Sequence, residues 1–180
     1  MSEQGAMSGE LAVPVSDEDH IRGDPDAPLT LVLYGDFECS YTGAVHPTVR
    51  ELRERLGERL RFVFRNFPLT EIHPHALDAA EAAEAAAAQG RYWAMYDLLF
   101  ENQHHLHAEH LQEYAGQVGL DLDRFDADTA EHEHIEHIEE DAMSGERSGV
   151  GGTPTFFVGT LRHEGAHDVD ALEAALERSA

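Results

Sequence analysis

Leu29-Thr30-Leu31-Val32-Leu33-Tyr34-Gly35-Asp36-Phe37-Glu38-Cys39-Ser40-Tyr41-Thr42 is the stretch on which the fold turns. Leu29 to Tyr34 is a short apolar run rich in strand formers, the length of a buried strand and not of a helix. Gly35 and Asp36 end it, and a cysteine follows at position 39. From about Thr42 the text turns helical, with Val45, Val49, Leu52 and Leu56 at three- and four-residue spacing. His46-Pro47 falls in the first turns, where proline predicts a kink. Gly57 stops the helix, and Leu60 to Phe67 alternates like a second strand. The result is a strand–helix–strand unit with a cysteine at its first junction.

Outward from this unit the chain changes character twice. Residues 1–28 form a polar lead with Pro14, Pro25 and Pro28, and Gly23-Asp24-Pro25-Asp26 is turn chemistry. Residues 73–147 hold almost no strand-like text. Ala76 to Gln89 is an alanine–glutamate helix closed by Gly90, and Tyr92 to Phe100 is a heavily apolar one whose aromatic residues and Met95 form a packing face. Leu111 to Val118 is a third helix, and a segment from Phe125 through Ile135 and Ile138 to Met143 follows. Strand text returns at Thr155 to Val158, then more weakly at Thr160 to His163, and Asp168 caps a final helix to Ser179. The pattern predicts an α/β core over 29–72 and 148–180, interrupted by a helical subdomain over 73–147. That block is far too long for a simple crossover.

Composition narrows the function. The chain has 180 residues, a soft prior of one domain, and 42% of them are apolar, enough for a core. Asp plus Glu number 36 against 12 basic residues, for a net charge of -24. All twelve are arginine. Such a surface repels phosphate backbones and anionic lipid, so no nucleic-acid or membrane partner is expected. No apolar run reaches the roughly 18 residues needed to span a bilayer. Met1 to Val13 is polar and acidic and lacks the features of a signal peptide, which predicts a cytoplasmic chain. With Cys39 the only thiol, an intramolecular disulfide and a zinc finger are both excluded.

Two motifs carry chemistry. Cys39 lies between a strand end and a helix start, where free backbone N–H groups and the helix dipole favour the thiolate. It is expected to be partly exposed and nucleophilic, against the plainer reading of a small buried hydrophobe. The second motif is Gly151-Gly152-Thr153-Pro154-Thr155-Phe156-Phe157-Val158, in which a proline directly before a strand is a candidate cis peptide bond. The thirteen histidines include His104 with His107 and His134 with His137, each pair three apart on a helical face, and Glu133 with His137, four apart. The spacing is loose and no HExxH is present. The reading adopted is a solvated acidic helix with no metal.

Together these motifs resemble the thioredoxin superfamily, and within it the DsbA-like thiol–disulfide oxidoreductases. The resemblance runs over about residues 20 to 178. It includes Asp36 to Cys39, Asn66-Phe67-Pro68-Leu69, the Ala-rich helix, Gln89 to Trp93, Leu99 to Gln103 and Gly149 to Val158. It implies a thioredoxin-like fold with a helical insertion, Cys39 as attacking nucleophile, Pro154 as cis-proline, and Thr153 as the residue whose backbone pairs with substrate. Phe37, Ser40 and Tyr41, with Thr153 and Pro154, are expected to line the groove for an extended peptide.

One departure bears on mechanism. The family motif is Cys-x-x-Cys, and Thr42 stands at the second cysteine. A dithiol enzyme resolves its mixed disulfide with that second thiol. Thr42 is instead expected to donate its hydroxyl to the Cys39 thiolate. The predicted function is thiol–disulfide exchange on protein or small-molecule disulfides through one cysteine. No cofactor is expected; glutathione or another low-molecular-weight thiol would resolve the adduct as co-substrate. Two other readings stand beside it: a redox-inactive module that binds peptides or proteins, and a sensor whose cysteine is reversibly oxidised.

Overall fold

Alternation along β2 (Leu29–Gly35) splits its side chains between two cores. Leu31 and Leu33 pack with Phe62, Phe64, Phe156 and Val158 on one face of the sheet, while Val32 and Tyr34 pack with Val63 and Phe157 on the other. Burial on both faces is why the segment reads as an unbroken apolar run. Its parallel partner is β3 (Leu60–Asn66), with Leu33 opposite Phe64 and Gly35 opposite Asn66. Parallel pairing needs a crossover, which α1 (Ser40–Leu56) supplies, placing buried Val45, Val49, Leu52 and Leu56 against the first face.

The computed structural model describes residues 9–180. The first eight residues of the polar lead lie outside the described residues. The rest of the lead is docked. It supplies an edge strand unforeseen from sequence, β1 (His20–Gly23), antiparallel to β3. Buried Arg65 holds both carboxylate oxygens of Asp19, at 2.8 and 2.9 Å, and donates to the carbonyls of Val13 and Pro14.

After β3 come five helices: α2 (Ala76–Ala88), α3 (Tyr92–Glu101), α4 (Ala108–Gln117), α5 (Leu122–Ala130) and α6 (Ile135–Arg147). The chain then returns to the sheet as β4 (Thr155–Val158) and β5 (Leu161–Arg162) and closes with α7 (Val169–Ser179), whose first turn is capped by the Asp168 side chain at Ala171 N. The strand order is β1-β3-β2-β4-β5. This is a thioredoxin-like α/β fold with an inserted helical subdomain. Among the described residues, no helix is long and apolar enough to cross a membrane.

Two differences from the sequence reading have local causes. Phe125 to Met143 is not one segment: His132 takes a left-handed backbone, φ 54°, and separates α5 from α6. The run Glu131-His132-Glu133-His134 offers no apolar residue to hold a helix against the core, and His132 instead reaches Glu81 at 2.9 Å. Second, α2 is more than an alanine helix with solvated acids. From Ala79 to Ala86 every residue is buried, Glu81 and Glu84 included, and each glutamate is matched by histidine: His132 on Glu81, His20 on Glu84 at 2.9 Å.

Candidate active site

Cys39 is the N-cap of α1, with extended backbone and no side-chain cap. Its N–H donates to the Asp36 carbonyl at 3.1 Å, and its own carbonyl receives Gly43 N–H at 2.9 Å. The Thr153–Pro154 peptide bond is cis, and Cys39 Sγ lies 3.7 Å from the Thr153 carbonyl oxygen. The two motifs that sequence singled out therefore meet. Cys39 is 4% exposed, less than the partial exposure expected, because Sγ is tucked under the Thr153 backbone.

Polar side chains hold the segment around Cys39 from both sides. Asp36, buried beneath it, accepts Glu38 N–H through one oxygen, and Leu69 N–H and His73 Nδ1 through the other, at 2.8 to 2.9 Å. Glu38 accepts from His75 twice, from its backbone N–H at 2.7 Å and from Nδ1 at 2.9 Å. Gln103, just past α3, donates its side-chain amide to the carbonyls of Phe37 and Cys39, at 2.8 and 2.9 Å. Gly43 makes room for that amide, since a Cβ there would overlap the Gln103 side chain. Glu38, Ser40, His75, Gln103 and His107 line a cleft of about 350 Å³ beside the cysteine.

The expected groove residues divide. Ser40 and Tyr41 are exposed, Tyr41 to 74%, and Thr153 and Pro154 are half-buried. Phe37 is corrected: it is 1% exposed and packs against Phe64, Tyr96 and Phe100 in the core. An apolar ring on the turn after β2 gains more from that core than from solvent. Thr42 is also buried. Its hydroxyl receives the Asp36 N–H at 3.4 Å, and no hydrogen bond joins it to Cys39 among the described residues.

His73, His75 and Gln103 were not singled out from sequence. Two carboxylates two residues apart, Asp36 and Glu38, face two histidines two residues apart, and that matched spacing was the available signal. Of the histidine pairs that were singled out, His104 and His107 both line the cleft beside the cysteine, whereas His134 and His137 do not converge. His134 bonds Asp128 at 3.2 Å, whereas His137 faces Glu84 and Asp141.

A family model described as Thioredoxin matches residues 15–178. Among curated relatives, the Na(+)/H(+) antiporter NhaA 1 of Salinispora arenicola is 48% identical over 168 residues, covering 93% of this chain and 26% of the antiporter. The antiporter NhaA of Herminiimonas arsenicoxydans is 46% identical over 170 residues, covering 94% and 27%. The chain thus spans about a quarter of the length of these relatives. Among solved structures, a thioredoxin-like oxidoreductase from Silicibacter pomeroyi DSS-3 aligns with a TM-score of 0.81 and 26% identity, over 91% of this chain and 93% of that one. Oxidised BdbD from Bacillus subtilis shares the fold, with a TM-score of 0.83 at 20% identity over 96% of each chain. With its cysteine at the first helix start and its cis-proline loop facing that cysteine, the chain belongs to the thioredoxin family.

Proposed function

We propose that this chain exchanges thiols and disulfides through Cys39 alone. The observation that carries the reading is the approach of Cys39 Sγ to the Thr153 carbonyl, at the N-terminus of α1 and beside the cis peptide bond. In the first step the Cys39 thiolate attacks one sulfur of an exposed disulfide. A Cys39–substrate disulfide forms, and the other sulfur leaves as a thiolate. In the second step an external thiolate, from glutathione or another low-molecular-weight thiol, attacks the substrate sulfur of that adduct. Cys39 is released as a thiolate, and the substrate leaves disulfide-bonded to the external thiol. Thr42 carries no sulfur and the chain has no second cysteine, so resolution falls to the outside thiol. Ser40, Tyr41 and the Thr153–Pro154 loop are the surface over which the disulfide enters.

The test mixes the protein with a glutathionylated peptide and follows Cys39 by mass spectrometry. An adduct should form in one equivalent, be released by added glutathione, and be absent in Cys39→Ser. A redox-inactive binding module is the second reading, and the burial of Cys39 favours it. That reading replaces the first if the adduct forms no faster than on an unstructured peptide thiol.

A further inference from the structure

Residues of three elements converge at the seam between the sheet and the inserted helices. His20 on β1, Glu84 on α2 and His137 on α6 each offer one ligand atom, and these atoms all lie within 4.8 Å of one another. His20 Nε2 is 2.9 Å from Glu84 Oε1, and His137 Nε2 is 3.8 Å from Glu84 Oε2 and 3.5 Å from Asp141 Oδ2. We propose that His20, Glu84 and His137, with Asp141 beside them, bind one borderline divalent metal ion of the zinc type.

The geometry is close to that of a formed site. Bonds of about 2.0–2.2 Å place tetrahedral ligand atoms roughly 3.3 Å apart, and the separations here bracket that value. Two imidazoles and one carboxylate, with the Asp141 carboxylate against His137, suit a first-row ion such as zinc, whereas calcium and magnesium take oxygen ligands. Charge argues the same way. Glu84 and Asp141 are both buried, and with neutral histidines their two negative charges are balanced by one dication.

The surroundings are built to orient these ligands. Asn66 Nδ2 donates at 3.0 Å to both Glu84 and Asp141, and Asn66 N–H donates to Asp141 at 2.9 Å. Tyr92 stacks on the His20 ring, with centroids 3.7 Å apart. Partners that fix metal ligands in this way hold their geometry ready. Two polar atoms buried in this shell, Asn66 Oδ1 and the Tyr92 hydroxyl, have no hydrogen-bond partner among the described residues. Residues so costly to bury serve the cluster better than they serve an apolar core.

The inference is independent of the exchange reading, and its test uses the untagged 180-residue chain with zinc sulfate, then cobalt chloride as a spectroscopic probe. One equivalent of zinc should bind and raise the melting temperature by about 5–10 °C at a hundredfold excess over Kd. Cobalt should give a visible spectrum without the near-ultraviolet bands of a thiolate ligand. Half-buried His137 is the safest ligand to change: His137→Ala should lower affinity at least tenfold, and His20→Ala likewise. Cys39→Ser and the double variant His104→Ala with His107→Ala should bind as the native protein does. Equal affinity in His137→Ala, loss of binding in Cys39→Ser, tighter binding of calcium than zinc, or no stoichiometric binding would each overturn the proposal.

Discussion

The Gln103 side-chain amide donates to the Cys39 carbonyl at 2.9 Å, so the turn just past α3 in the helical insertion clamps the cysteine of the α/β core. The same nitrogen reaches the Phe37 carbonyl at 2.8 Å, and Gly43 leaves the space it occupies. Gln103→Ala therefore strips its donor from the Phe37 carbonyl and leaves the Cys39 carbonyl with the Gly43 N–H alone. The expected loss is about 1–2 kcal/mol in urea unfolding, with slower adduct formation on Cys39. Gly43→Ala should displace Gln103 and remove the same contacts, so the double variant should lose clearly less than the sum of the singles. Additive losses would show that the two residues act separately.

Phe37 gives a sharper contrast between groove and core. A groove residue truncated to alanine leaves stability nearly unchanged. Phe37 is instead 1% exposed, among Phe64, Tyr96 and Phe100. Phe37→Ala should cost roughly 3–5 kcal/mol in denaturant unfolding. A change under about 1 kcal/mol would return Phe37 to the substrate surface.

Asp97 on α3 links the helix that carries Cys39 to the edge strand. His46 Nε2 on α1 meets one carboxylate oxygen at 3.0 Å, and the Arg22 guanidinium on β1 spans both, at 3.0 and 2.9 Å. Burial pushes the Asp97 carboxyl up, but the His46 and Arg22 hydrogen bonds outweigh it and hold the group well below the usual carboxylate range. A depressed native value means the stabilisation is present above the ordinary aspartate pKa of about 3.9 and is lost as pH falls through the native value. Asp97→Asn should lose roughly 2 kcal/mol at pH 7, and the gap from the native protein should narrow progressively below about pH 4. Paired urea titrations at the two pH values check this; a gap independent of pH would refute it.

The readable parts of the sequence were those governed by apolar spacing. β2, α1 and β3 each carry a run or a period long enough to fix their type, and Cys39 and Thr153-Pro154 stand at ends of such elements. β1 was hidden because it is four residues long and shows polar His20 and Arg22 among its neighbours. Gln103, His73 and His75 were hidden for another reason. They act through single polar atoms brought from distant loops, and no period records that. Phe37 departs from the groove because nearness in sequence to Cys39 is not nearness to solvent: its ring turns into the core. The α5–α6 break was missed because a run of Glu and His is weakly helical text, and only the position of Glu81 decides where the chain turns.

Thr42 decides between a monothiol and a dithiol reaction, and one substitution separates them. The residue sits in the first turn of α1, three positions after Cys39, buried, with its hydroxyl receiving a long 3.4 Å hydrogen bond from Asp36 N–H. Cysteine is close to threonine in size, and the bond it would weaken is already long, so Thr42→Cys should disturb the helix start little. If the rest of the site is intact, this variant should form an internal disulfide under mild oxidation, detected as the loss of two hydrogens by mass spectrometry. That disulfide form should then oxidise a reduced model protein without added glutathione, the substrate dithiol becoming a disulfide as Cys39 and the new cysteine return to thiols. The native protein should accumulate the mixed disulfide on Cys39 and turn over only when external thiol is supplied. Rates measured for both forms, with and without glutathione, give the comparison. Should Thr42→Cys close its disulfide yet exchange no faster than a peptide thiol, the groove around Ser40, Tyr41 and Thr153 lacks catalytic geometry. Binding without turnover would then be the function of this surface.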